Sequence, residues 1–316
     1  MNKKEKFFGV NKTNWGHKWG FKDSGFVVNK DKSVSFTGSR YPICGKTLPN
    51  FIPFIEEVLG IDFKQEPKIK EINNKHVTPH NLNKPFVDEL KSTFESDRYT
   101  FEDNERILHS HGQHSTDEVY KVLYNKLEKF IDVVFYIENK KETRQLVSLA
   151  KKHDVCLIPY GGGTNVTNAL RPPIEENRMI VSIDTRRMNK IESIDKKNLM
   201  VVVQAGITGK DLERALNKEG FTTGHEPDSY EFSTVGGWIS TNAAGMKKHR
   251  YGNIEDIVQN ITMVTPNGTI NQIKPLTRSS IGIKTQNLLF GSEGNLGIIT
   301  NATLKIHKLP KESSFE

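Results

Sequence analysis

Three glycine-rich segments carry residue types and spacing suited to holding a ligand. The first is Pro159-Tyr160-Gly161-Gly162-Gly163-Thr164-Asn165, directly after the apolar run Val155–Pro159. Successive glycines let the backbone turn its N–H groups into one concavity and let a ligand approach closely. A phosphate or pyrophosphate suits such a nest. A hydrogen bond to a charged acceptor contributes ~1.5–3 kcal/mol, so three or four donors are enough to hold a cofactor. A plain glycine turn is the alternative reading of this segment taken alone.

The second segment runs from Gly224-His225-Glu226-Pro227 through Asp228-Ser229-Tyr230-Glu231-Phe232-Ser233-Thr234 and Val235-Gly236-Gly237-Trp238 to Thr241-Asn242-Ala243-Ala244-Gly245. Small and hydroxyl-bearing residues dominate it. That composition suits the lining of a channel where backbone passes close to a flat or extended ligand. Ser233 or Thr234 is placed to cap a short helix over Val235–Ala243, which would aim N–H groups at a second phosphate oxygen. The third segment, Glu293-Gly294-Asn295-Leu296-Gly297-Ile298-Ile299, is another such loop entering a strand. Other nucleotide sites fit poorly. No GxGxxG opens a helix after a first strand, and no GxxxxGK[ST] is present. Arg171-Pro172-Pro173 follows the first loop too closely for a long helix to start there.

Two further clusters have weaker chemistry. His109, His111 and His114 crowd one segment but lack further metal partners, and are expected to be satisfied surface histidines. No metal site is expected. Lys247, Lys248 and Arg250 read equally well as a phosphate grip or as a solvated face. His225 and Glu226 are expected to support the second loop rather than to catalyse.

The elements that must position these loops follow from periodicity. Val133–Ile137 reads as a buried strand, Lys141–His153 as a helix and Val155–Pro159 as a second strand, a βαβ unit with a parallel pair. Met179–Asp184, Leu199–Gln204, Ile254–Thr265 and Gly297–Ile306 read as further strands, with Asn267-Gly268 as a turn. Thr208–Lys218 reads as a helix capped by Thr208. Upstream, Phe51, Phe54, Ile55, Val58 and Leu59 form a helical stripe stopped by Gly60, and Phe86, Leu90 and Phe94 form another. Ser115 and Glu118 make a capping box before Val119 and Val122. All these stripes are expected to pack as core, and Phe63–Asn81 is expected to be loop. The mixture is α+β rather than a doubly wound sheet.

Length and composition bound what these elements can build. With 316 residues and 35% hydrophobic content, the chain is globular, of roughly two domains. The longest apolar runs, Val133–Ile137 and Leu199–Val203, span five residues, far below the ~18 of a membrane helix. Two cysteines, Cys44 and Cys156, stand apart, which excludes a disulfide scaffold. Residues 1–30 carry seven Lys against Glu5 and Asp23, so 7 − 2 = +5 of the chain's net +7 lies in that arm. A solvated tail is the expectation, with contact to an anionic membrane surface next; no nucleic-acid partner is expected. Neither the residues after Met1 nor the terminal Ser-Ser-Phe-Glu resembles a targeting signal.

Taken together, GGGTN after a strand, PDSYEFSTVGGW, YGNIED and GSEGNLGII resemble the flavin-binding domain of the vanillyl-alcohol-oxidase (PCMH-type) superfamily. Within it, Arg40-Tyr41-Pro42, Gly206-Ile207-Thr208-Gly209, Gly224–Ser229, Glu231–Trp238, Gly245-Met246-Lys247-Lys248 and Tyr251–Asp256 resemble the alkyldihydroxyacetonephosphate synthase family. The resemblance runs from about Arg40 to His307. It implies a two-subdomain α+β domain with non-covalent FAD between the subdomains, over residues 127–309. A partly helical region over 1–126 precedes this domain, and a stub over 310–316 leads toward a C-terminal cap that this sequence does not contain. By motif, Pro159–Asn165 would bind the pyrophosphate, Asp228–Thr234 and Thr241–Ala244 the flavin and its phosphates, and Glu293–Ile299 the remaining FAD contacts.

The family reaction implied is exchange of the acyl group of acyl-dihydroxyacetone phosphate for a fatty alcohol, in ether-lipid synthesis, without net redox change. The resemblance further implies a peroxisomal location and a homodimer. It assigns acid–base catalysis to the cap, so no catalytic residue is named in this chain. Asn242 departs from the Arg of the animal members. The alternatives are an FAD-dependent 2-hydroxy-acid oxidoreductase of the same superfamily and a non-catalytic flavin-binding module.

Overall fold

The computed structural model describes residues 19–63, 77–271, 280, 282 and 284–310. Most of the basic arm, residues 64–76 of the expected loop, and the stub beyond Pro310 lie outside these. The chain opens with a meander that the sequence reading did not foresee: β1 (Gly25–Val28), β2 (Val34–Thr37) and β3 (Thr47–Leu48), antiparallel in that order. Helix α1 (Phe51–Leu59) follows and stops at Gly60, which adopts the left-handed conformation (φ 63°) that a side chain would disfavour. Its stripe does not pack as core. Ile52 is its buried residue, whereas Phe54, Val58 and Leu59 are 61%, 61% and 62% exposed. Phe51 stacks on Phe26 of β1 at 5.9 Å. Three short strands are too small a surface to cover the rest of the helix.

The next helices behave as their patterns require. In α2 (Lys84–Thr93), Asn83 caps the N-terminus by accepting from the Phe86 N–H, and Phe86, Val87 and Leu90 are buried. Strand β4 (Tyr99–Thr100) and helix α3 (Asp103–Leu108) lead to α4 (Thr116–Leu123). There Ser115 caps the helix by accepting from the Glu118 N–H, and its hydroxyl donates to the Glu118 carboxylate, so the N-terminal half of the expected capping box forms while the carboxylate turns to the Ser115 hydroxyl and the Gly112 N–H.

The first subdomain is built from β5 (Val133–Tyr136), α5 (Lys140–Lys152), β6 (Cys156–Tyr160) and β7 (Ile180–Asp184). The sheet order is β4-β5-β7-β6. Strands β5 and β6 are parallel, as the βαβ pattern requires, but they are not neighbours, because β7 lies between them and pairs in parallel with both. The crossover through α5 leaves a one-strand gap. β7, buried along its whole length, fills it. Side chains of α2, α5, β5 and β7, among them Phe86, Leu90, Phe135, Leu146 and Ile183, share one core.

The second subdomain comprises β8 (Ile191–Asp195), β9 (Met200–Gln204), α6 (Gly209–Lys218), β10 (Phe221–Thr222), α7 (Val235–Ser240), α8 (Lys248–Tyr251), α9 (Ile254–Ile257), β11 (Val258–Thr265), β12 (Gly268–Ile270), β13 (Ile298–Lys305) and β14 (His307–Lys308). Five strands form an antiparallel sheet, β12-β11-β13-β9-β8, and β10 pairs with β14. Helix α6 is capped by Thr208 as expected. Two expectations change. Residues Ile254–Ile257 are helical rather than the start of a strand, because the Asp256 carboxylate accepts from the Asn253 N–H (3.0 Å) and holds a turn. Strand β8 was unforeseen, because a bulge between Ile191 and Ser193 breaks its alternation.

The architecture is α+β with two subdomains that meet along a seam. Val264 of β11 and Ile298 of β13 belong to the first subdomain's core, whereas Val201, Leu212, Trp238 and Leu304 form the second's. No helix among the described residues is long and apolar enough to cross a membrane. The burial pattern predicts unequal responses to truncation. Leu146→Ala should cost about 2–5 kcal/mol in urea unfolding, whereas Val58→Ala should stay within about 0.5 kcal/mol.

Candidate functional site

The carboxyl ends of β6 and β7 open toward the end of the seam, and a cleft of about 370 Å³ lies there. Ligands of parallel α/β sheets sit beyond such strand ends. Pro159, Tyr160, Gly161, Gly162, Gly163, Thr164 and Asn165 line one wall. Asp228, Ser233, Thr234, Thr241, Ala243 and Ala244 come from the second segment, and Glu293, Gly294, Gly297, Ile298 and Ile299 from the third. The cleft thus gathers all three segments that the sequence singled out.

Seven expected residues do not line it. Ser229, Tyr230, Glu231 and Phe232 turn away, with Phe232 stacked on Phe21 at 5.6 Å. Asn242, Asn295 and Leu296 also lie outside the lining. Conversely, Val166, Thr167, Ala169, Leu170, Thr185 and Ser240 line the cleft without having been singled out, and Pro227, Gly236, Gly237 and Trp238 of the second segment line it without having been assigned a cofactor contact. The position of Thr185, just after a buried parallel strand, was the available signal. Lys247, Lys248 and Arg250 are not among the lining residues; Lys247 pairs with Glu226 at 2.8 Å and Arg250 lies over Tyr251.

The glycine loop is clamped rather than loose. A Cβ on Gly162 would stand 2.1 Å from the Phe232 carbonyl oxygen, and one on Gly161 would stand 2.5 Å from the Thr234 hydroxyl. The backbone of Gly163 accepts from the Gln113 N–H at 2.7 Å. Among the described residues, none accepts from the backbone N–H groups of Gly161, Gly162, Gly163, Thr164 or Asn165. Both polar atoms of the Asn165 side chain are buried without a hydrogen-bond partner, as is the Ser292 hydroxyl. A row of free donors with orphaned polar atoms beside it fits an anionic, hydrogen-bonding ligand.

Helix α7 does not supply the second phosphate contact expected of it. Thr234 caps it by accepting from the Gly237 N–H, but the Val235 and Gly236 N–H groups already donate to the carbonyls of Ile207 (3.1 Å) and Ala205 (2.7 Å). The helix ends at Ser240, short of Ala243, and its Val235, Trp238 and Ile239 are core residues. Docking its N-terminus on the end of β9 consumes the donors.

Beneath the loop lies a buried charged cluster. Asp184 accepts from the Arg186 guanidinium and faces the His109 Nε2 at 3.0 Å. Burial opposes its charge, but Arg186 and then His109 outweigh that and hold its carboxyl well below the usual carboxylate range. The Tyr160 ring packs on His109 at 4.3 Å, and burial pushes its hydroxyl up to about 12. His109 and His111 are therefore interior groups, not surface ones, each satisfied by a backbone carbonyl. His225 is 2% exposed, lies edge-on to Trp238 at 4.9 Å, and has no hydrogen-bond partner on either ring nitrogen. Among the described residues no group of three potential metal ligands occurs.

Residues 131–274 match the family described as FAD binding domain. Fold, cleft and this match define an FAD-binding domain. An alkyldihydroxyacetonephosphate synthase of Caenorhabditis elegans is 40% identical over 297 residues, covering 94% of this chain and 49% of that protein. One of Dictyostelium discoideum is 37% identical over 271 residues, covering 84% and 44%. A solved structure of an alkyldihydroxyacetonephosphate synthase superposes with a TM-score of 0.86 at 34% identity, over 96% of this chain and 56% of that one. The chain belongs with the flavin-domain half of the alkyldihydroxyacetonephosphate synthase family, and it spans about half the length of the curated relatives it matches.

His225 gives this site a pH signature. Burial lowers its pKa from 6.5 to about 4. The unfolded chain then binds the extra proton first, so stability should fall as pH drops from 6.5 toward 4, by on the order of 3 kcal/mol. Denaturant titrations over this range should show a flatter profile for His225→Gln than for the unaltered chain.

Proposed function

We propose that this chain binds FAD in the cleft and forms the flavin-holding half of an alkyldihydroxyacetonephosphate synthase. The carrying observation is the row of unsatisfied N–H groups on Gly161–Asn165 at the junction of the three glycine-rich segments. In this reading those donors and the Asn165 side chain hold the pyrophosphate. Asp228, Ser233, Thr234, Thr241, Ala243 and Ala244 border the ring and its phosphates, and Glu293, Gly294 and Gly297–Ile299 close the far wall. Bound flavin supplies a ring that takes up and returns an electron pair at a substrate carbon. The chain's own residues orient that ring, and the small side chains leave it room.

The substrates in this reading are acyl-dihydroxyacetone phosphate and a fatty alcohol. Acid–base groups come from the cap region that the family resemblance places after this half. Peroxisomal location, dimerisation and peripheral membrane contact through the basic N-terminal arm belong to the same proposal. The resemblance of Gly224–Ser229 and Gly245–Lys248 to the synthases favours acyl exchange over 2-hydroxy-acid oxidation.

Reconstitution tests the binding step. The refolded or purified chain should retain FAD non-covalently through gel filtration, with a flavin absorbance band. Gly162→Val, whose side chain would strike the Phe232 carbonyl, should lose it. Among the described residues no Lys, Arg or His lines the cleft, so raising salt from about 0.05 to about 0.5 M, roughly a threefold change in Debye length, should alter the FAD dissociation constant by less than about threefold. A well-folded chain that takes up no flavin would overturn the proposal. Assays of a version extended by a family cap, with acyl-dihydroxyacetone phosphate against D-lactate, separate the two reactions.

A further inference from the structure

The histidine segment His109–His114 touches two of the three segments of the cleft, the loop after β6 and the loop at Ser229. It lies in the layer before residue 131, where the match to the FAD binding domain begins. His109 supports the Tyr160 ring at 4.3 Å. The Gln113 N–H donates to the Gly163 carbonyl at 2.7 Å. The His114 Nδ1 meets the Ser229 hydroxyl at 3.0 Å. The Trp19 Nε1 donates to the Gln113 carbonyl at 2.6 Å from the opposite side. Gly112 is held by the buried Glu118 carboxylate, which accepts from its N–H at 2.8 Å.

From this geometry we propose that His109–His114 is a positioning strut of the cofactor cleft, and that His114 with Ser229 fixes the second loop against the first. The strut is anchored in α4 through Glu118, and it bonds one loop from each subdomain. Neither contact donates to the ligand, so these are positioning residues rather than binding ones. Ser229 sits in the left-handed region (φ 57°). A serine there holds its conformation only where its surroundings supply compensating contacts, and the His114 bond is one. The strut also accounts for why Asp228–Thr234 contributes only Asp228, Ser233 and Thr234 to the lining. Of the intervening residues, Ser229 bonds the strut and Phe232 stacks on Phe21 instead. The inference deepens the flavin-binding reading above, and its first measurement stands without flavin.

His114 is exposed on its outer side, so its replacement leaves the cores intact. In the flavin-free chain, His114→Ala should speed amide hydrogen exchange at Gln113, Phe232 and Ser233, whose N–H groups are bonded to Gly163 and Ser229, by about threefold to tenfold, the loss of one hydrogen bond's support. Thermal unfolding should stay near that of the unaltered chain. FAD should bind about threefold to tenfold more weakly. His114→Asn, which keeps a polar atom near the Nδ1 position, should restore both. Ser229→Ala should match His114→Ala, and the double variant should be no worse than either. Unchanged exchange in His114→Ala, or losses that add in the double variant, would overturn the strut. Faster exchange in a chain that takes up no flavin would keep the strut and reject the cofactor reading.

Discussion

Everything about the cleft depends on how closely two stretches of backbone approach one another. The loop after β6 lies on residues 232–234 of the other subdomain with no room for a Cβ at Gly161 or Gly162. That contact sets the width of the seam at its open end. Two subdomains that shared only side-chain packing could slide, since packed apolar surfaces are weakly directional. Backbone against backbone, with the shared core at Val264 and Ile298 below it, leaves one arrangement. The glycines therefore have two roles: they allow the approach, and they leave the N–H groups on the far side of the loop without protein acceptors.

The electrostatics follow from that geometry. An anionic ligand in this cleft meets backbone dipoles and hydroxyls, with Asp228 and Glu293 as the charged residues in the lining. Glu293 already accepts a bond from the Thr167 hydroxyl at 2.6 Å. A cation lies one layer down, where the Arg186 guanidinium pairs with Asp184 and the His109 ring hydrogen-bonds the same carboxylate. Neutralised there, Arg186 stabilises the floor rather than attracts the ligand. Removing one partner of such a buried pair costs far more than the pair contributes, which makes this layer a rigid base for the loop. Recognition by oriented amides favours an extended, multiply accepting anion over a point charge, and a pyrophosphate matches that description.

The site was legible in the sequence where small residues were forced by close contact. Gly161–Gly163, Thr234 and Gly294 stand out because no core would be built from them, and each lines the cleft. What composition could not show was direction. Ser229 and Phe232 sit in the same segment yet point to His114 and Phe21, because one turn of loop reverses which face a side chain presents. Helix α7 was foreseen with its cap, but not the docking of its N-terminus on Ala205 and Ile207, a contact between segments some thirty residues apart. In the fold, strong periodicity placed α2, α5 and α6 within a residue or two and β7 as a strand, whereas the bulge in β8 and the position of β7 between β5 and β6 are products of pairing. The exposed stripe of α1 shows the same limit: periodicity reveals that a helix has an apolar face, not what covers it.

The histidine segment shows why a domain boundary drawn from sequence similarity need not be a boundary of the site. Residues 131–274 carry the matched FAD binding domain, yet the loop at Gly163 is bonded by Gln113 and the loop at Ser229 by His114. Loops held only by their own subdomain would be free to open wherever solvent can replace their contacts. A strut from a third layer, itself fixed by the buried Glu118 and by Trp19, ties the two together at one further point each. The loops of the cleft are therefore held by a stretch of chain that does not itself line it. Loops held in one arrangement before any ligand arrives lose less freedom on binding, and that pre-organisation favours holding an anion on neutral amides where no lysine or arginine stands among the described lining residues.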